Sequence, residues 1–123
     1  MKLPQHEDGV DRKIELAWLG DFYGGLLTEK QRQVLSLYCE EDLTMSEIAQ
    51  EAGISRQGVH EMLSRTQARL KELEDSLGMA ARFARMQEGL TACRSALTEG
   101  RYDEAAQTID RLIRLDQEDN DGL

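Results

Sequence analysis

From Ile14 onward the apolar positions return every three or four residues, the period of a helix with one buried stripe, in successive blocks divided by glycine or by capping residues. The first block predicts a helix over 11–23, with Ile14, Trp18 and Phe22 at i, i+4 and i+8 as core anchors and Leu16 and Leu19 alongside. Gly24-Gly25 ends it, and Leu26 and Leu27 pack as the chain enters the next element. Thr28-Glu29-Lys30-Gln31 is a capping box that starts a second helix, whose inner face is Val34, Leu35, Leu37 and Tyr38. The acidic run Glu40-Glu41-Asp42 is unfavourable at a helix C-terminus and predicts a loop. A second capping box, Thr44-Met45-Ser46-Glu47, starts a short third helix with Met45, Ile48 and Ala49 inward and Gly53 after its last turn.

A fourth helix follows Ser55, a good N-cap, and runs to about Leu77. Gly58 is its weak point, at about 1 kcal/mol against alanine. Val59, Leu63, Thr66, Leu70, Leu73 and Leu77 make a heptad seam longer than a small three-helix core needs, so its second half is expected to pack on later helices, another chain, or both. After Gly78, a fifth helix over 79–98 carries Phe83, Met86, Leu90, Cys93 and Leu97 as its inner stripe. A sixth over 102–115 buries Ala105, Ile109, Leu112 and Ile113. The segment 100–106 resembles a tetratricopeptide turn, but no second copy exists, so a plain helical hairpin is expected. The organisation is then a flexible arm over 1–9, a helix-turn-helix domain over 10–77, a helical hairpin over 78–115 and a disordered acidic tail over 116–123.

Composition supports this all-α reading of the 123 residues. Leu, Ala, Glu, Gln and Arg outweigh Val and Ile, and the one proline is Pro4. Cys39 and Cys93 lie far apart in apolar stripes without a CxxC, which suggests buried free thiols and a reducing, cytoplasmic location. No metal-ligand spacing, cofactor motif, nucleophile–base pair or glycine-rich phosphate cradle is present, so neither a metal, a cofactor nor an enzymatic activity is expected. No apolar run approaches the roughly 20 residues of a membrane span.

The net charge of -9 disfavours a general affinity for nucleic acid. Its distribution changes the picture. Between Ser55 and Lys71 stand Arg56, Arg65, Arg69 and Lys71 against Glu61 alone, while the acids gather at 40–42 and 116–121. The stretch from Thr44 to Val59 is a helix-turn-helix pattern. Ala49 lets two helices approach, Gly53 supplies the turn, Ile54 plugs the corner and Ser55 restarts the chain. Arg56, Gln57 and His60 then lie outward at the end that enters the major groove in such motifs. Arginine can pair with guanine and glutamine with adenine, and Arg65, Arg69 and Lys71 could reach phosphates. The same residues could equally form a solvated face.

The run Asp21-Phe22-Tyr23-Gly24 and the following Leu26-Leu27-Thr28-Glu29-Lys30-Gln31-Arg32 resemble the YlxM family, as do Tyr38, Glu41-Asp42, Ser46-Glu47-Ile48-Ala49 and Ile54-Ser55-Arg56-Gln57. These are small bacterial proteins similar to region four of a sigma factor. The resemblance implies a sigma region four-like helix-turn-helix bundle and an accessory role in the signal recognition particle pathway, with the particle's GTPase or RNA as partner. Two alternatives stay open. One is a sequence-specific DNA-binding regulator using Ser55, Arg56, Gln57, His60, Arg65, Arg69 and Lys71. The other is a protein-binding adaptor that contacts RNA polymerase. A homodimer through helices four to six is expected.

Overall fold

In the computed structural model, which describes residues 9–121, six α-helices follow one another: α1 Gly9–Tyr23, α2 Glu29–Cys39, α3 Met45–Ala52, α4 Arg56–Leu77, α5 Met79–Thr98 and α6 Tyr102–Asp121. A 3-10 turn, Gly24–Leu26, joins α1 to α2, and no strand occurs among the described residues. Both capping boxes form. Thr28 Oγ1 accepts from Gln31 N at 3.1 Å and Gln31 Oε1 from Thr28 N at 3.0 Å. Thr44 and Glu47 exchange the same pair at 3.1 and 2.9 Å, and the Thr44 N–H holds the exposed Glu47 carboxyl below its usual range. Two orphan N–H groups are thereby satisfied at each start.

The chain divides into two compact units, one ending at Ala80 and the other beginning at Ala81. The boundary falls three residues after the expected one at Leu77 because the first turn of α5 is held by the first unit. Ala80 is fully buried, its N–H donates to Glu74 Oε1 at 3.0 Å, and Met79 N–H donates to Tyr23 Oη at 3.0 Å.

In the first unit, α1, α2 and α3 pack with α4 around Leu16, Leu19, Tyr23, Val34, Ile48, Val59, Leu63 and Leu70. The inner face of α1 is therefore Leu16–Leu19–Tyr23. Ile14 is 52% exposed, and Trp18 and Phe22 are half-buried flanks that meet edge to face at 5.7 Å. Tyr23 lies seven residues from Leu16, on the same stripe, and its hydroxyl makes two part-buried hydrogen bonds, to Glu74 Oε1 and from Met79 N–H, that an all-carbon ring could not make. Arg12 and Lys13 lie over the Tyr38 ring at 5.8 and 4.8 Å, and Lys13 also pairs with Asp42 in the α2–α3 loop. Cys39, a free thiol, donates to Lys13 O at 3.6 Å and is pushed up to about 11 by burial.

The heptad seam of α4 is used mostly inside this unit, since Val59, Leu63, Thr66, Leu70 and Leu73 are all buried and only Leu77 is largely open. Thr66 Oγ1 is buried with no hydrogen-bond partner among the described residues. Thr66→Val should therefore raise stability by about 1 kcal/mol, because it removes an unsatisfied hydroxyl at nearly constant volume. Urea denaturation will measure this, and a loss of stability would show that the hydroxyl has a partner after all.

In the second unit, α5 and α6 form the expected hairpin. Gly100 makes the turn at φ 75°, and Arg101 N closes it onto Ala96 O at 2.7 Å. Its interior matches the expected one at Cys93, Ala105 and Leu112 and differs from it elsewhere. The buried positions are Ala84, Cys93, Ala96, Ala105, Thr108 and Leu112, whereas Phe83, Leu90, Leu97, Ile109 and Ile113 are 42–51% exposed. Small residues set this choice. A Cβ placed on Gly89 would lie 2.3 Å from Leu112 Cδ2, so the two helices meet more closely than large side chains allow. The segment expected to be a disordered tail is helical as far as Asp121, with no proline or glycine before Gly122 to stop it.

Candidate nucleic-acid interface

The corner between α3 and α4 is built from backbone geometry. Gly53 takes φ 70°, ψ 31°, a left-handed conformation open to glycine without a steric penalty, and its N–H closes the last turn of α3 onto Ala49 O. Ile54 N also reaches Ala49 O, at 3.1 Å, and its side chain packs against the core. Lys30 Nζ crosses from α2 to cap the carbonyl of Ala52. Ala49 is buried in the core of this unit. Ser55 then caps α4, its Oγ accepting from Gly58 N at 2.9 Å. A Cβ on Gly58 would sit 3.2 Å from that Oγ and 3.5 Å from Ile54 Cβ. Gly58 is thus part of a tight first turn as well as a weak helix former.

The anticipated side chains reach solvent. Ser55, Arg56, Gln57, His60, Arg65, Arg69 and Lys71 are all exposed. Arg56 and Gln57 occupy the first two positions of α4, where backbone N–H groups face outward without helical partners and the helix dipole is positive. Neither Arg56 nor Lys71 has a hydrogen bond or ion pair among the described residues.

The seven residues do not share one face. At about 100° per residue, Lys71 lies roughly 60° round the helix from Arg56, with His60 between them. Arg65 and Arg69 lie about 180° and 140° from Arg56, on the opposite flank. There each is near a carboxylate, Arg65 at 3.7 Å from Glu61 and Arg69 at 3.7 Å from Glu72. Such exposed pairs are worth well under about 1 kcal/mol and would yield to a phosphate. A helix lying in a groove has a backbone on each side, so the two flanks suit two strands rather than one. Ser64 belongs to the Arg56–His60–Lys71 flank and is exposed. Its spacing, four residues past His60, was the signal that would have singled it out.

Among the described residues no group of three or more His, Cys, Asp or Glu side chains could hold a metal ion, and no helix is long and apolar enough to cross a membrane.

Comparison with known proteins bears on this corner. Residues 10–109 match the model of the UPF0122 family, described as a YlxM / p13 like helix-turn-helix protein. A UPF0122 protein of Shouchella clausii is 39% identical over 108 residues, covering 87% of this chain and 99% of that protein. One from Bacillus mycoides is 36% identical over 109 residues, with the same coverage. One from Halalkalibacterium halodurans is 41% identical over 88 residues, 72% of this chain and 81% of the relative.

Proposed function

Because the chain belongs to the UPF0122 family of YlxM / p13 like helix-turn-helix proteins, we propose that it is a non-catalytic regulatory protein that binds a nucleic-acid duplex through the N-terminal turns of α4. The observation that carries this reading is the exposed, unpaired Arg56 beside Gln57 on a capped helix start. It presents a guanidinium, an amide and two free backbone donors in one place. The net charge of -9 works against non-specific affinity, so binding must come from this local basic surface and fall steeply with salt.

The shape of the corner favours DNA. The major groove of B-DNA admits a helix, whereas that of A-form RNA is too narrow for side chains to read. The finer reading implied by the YlxM resemblance, a part in the signal recognition particle pathway, would place the particle's RNA or its GTPase on the same surface. Fluorescence anisotropy with a randomised DNA duplex, the particle's RNA and the GTPase separates these partners. Lys71→Ala should weaken DNA binding for every sequence alike and reduce the salt slope by about 1, as expected for one phosphate contact. Binding of the RNA or the GTPase with no affinity for DNA at low salt would replace the DNA reading, and no binding of any of the three would end the proposal.

A further inference from the structure

The hairpin of the second unit has one open apolar face. Leu90 and Leu97 on α5 are 49% and 50% exposed, and Tyr102, Ile109 and Ile113 on α6 are 67%, 42% and 51% exposed. On α5 the two leucines lie about 90° round the helix from Cys93 and Ala96, which face α6. On α6 the three side chains lie about 90° round, in the same rotational sense, from Ala105 and Leu112. In antiparallel helices, equal rotations of the same sense turn both stripes to the same side of the pair. The heptad steps Leu90–Leu97 and Tyr102–Ile109 run along that side. Apart from Leu112, the interior behind it is made of small residues such as Cys93, Ala96 and Ala105, so it contributes little burial of its own.

We propose that this face is a self-association surface: two copies stack their hairpins about a two-fold axis parallel to the helices, α5 of one on α6 of the other, as an antiparallel four-helix bundle. Charge selects the occupant. The sequence of α5 holds three arginines against Glu88, and that of α6 holds seven carboxylates against Arg111 and Arg114, so each helix is complementary to the other's counterpart in a second copy. Arg94 and Asp110 flank the two stripes on their outer edges, where α5 and the second copy's α6 would meet. The five apolar side chains leave roughly 500 Å² open per protomer, or about 1,000 Å² for the pair before polar neighbours are added, which reaches the threshold of a specific interface. Since the seam of α4 is already buried in its own unit, the expected dimerisation through helices four to six narrows to α5 and α6.

Sedimentation equilibrium of the full chain tests this, with circular dichroism to confirm helicity. The wild type should sediment at twice 13.9 kDa. Leu97→Glu combined with Ile109→Glu should be a helical monomer. Arg94→Glu and Asp110→Arg should each weaken the dimer about tenfold, and the two together should restore it. The charge swap does not depend on the glutamate pair folding. A monomeric wild type, a dimer that survives Leu97→Glu with Ile109→Glu, or charge reversals without mutual rescue would overturn the proposal. None of these variants touches α4, so they test this surface apart from the nucleic-acid reading.

Discussion

Tyr23→Ala is expected to cost the first unit about 3–5 kcal/mol in urea denaturation, most of what a domain of this size has to lose. Tyr23 is the largest fully buried side chain among the described residues, closing the end of α1 against α4. Its hydroxyl donates to Glu74 Oε1 and accepts from Met79 N–H, and the same Oε1 accepts from Ala80 N–H. One ring therefore fills core volume while its oxygen, with Glu74, caps the first turn of α5. Tyr23→Phe separates the two roles. It keeps the ring and loses the cap, for about 1–3 kcal/mol, because Met79 N–H is left without its acceptor. Burial first, and the neighbouring Glu74 carboxylate second, push the phenol up from 10.0 to about 12. The neutral form is thus favoured in the fold. Its stabilising contribution is complete below about pH 10 and is lost as the pH rises from there through 12. Alkaline denaturation of the Phe variant should lack this component, and equal losses for Ala and Phe would show that the ring contributes nothing by packing.

Arg56→Ala together with Gln57→Ala should abolish discrimination between DNA sequences while leaving the fold intact. Both side chains are exposed on the first turn, and neither contacts the core. A good bidentate base contact is worth about 1–3 kcal/mol, so the double variant should lose on the order of a hundredfold or more in preference for a selected site. Non-specific affinity should fall less, since Arg65, Arg69 and Lys71 stay in place. Sequence selection on the wild type, followed by titration of both proteins against the selected and a scrambled duplex, measures the ratio. If the double variant keeps the wild-type ratio, the tip of α4 does not read bases.

How much was legible beforehand depended on whether a feature is local. Thr28–Gln31, Thr44–Glu47, Gly53 and Ser55 act within four residues, and each lies where its pattern placed it. The exposed tip of α4 followed from the same short-range rules. The face of α1 did not, because Ile14, Trp18 and Phe22 make as good a helical stripe as Leu16, Leu19 and Tyr23. The choice between them rests on distant partners: the core residues of α2–α4 that cover Leu16 and Leu19, and Glu74, 51 residues away, which gives the Tyr23 hydroxyl a partner. In the hairpin, periodicity favoured the large side chains on α5 as interior. Of that stripe only Cys93 is fully buried, and close packing through Gly89 put the small Ala84 and Ala96 beside it instead of the leucines. The basic residues of α4 looked like one patch in a linear string, and the helical turn divides them between two flanks.

The capped corner has a kinetic consequence. Stop and start signals for α2, α3 and α4 are all read within a single turn, so these helices can nucleate before any distant contact exists. The closing of α1 and the Tyr23–Glu74 contact spans a 51-residue loop, whose entropy must be lost before the ring finds its pocket, so it is the step expected last. Refolding of the first unit is accordingly expected to be paced by that loop, and a substitution at the α3–α4 corner to change the refolding rate only where it alters a helix start formed before the loop closes.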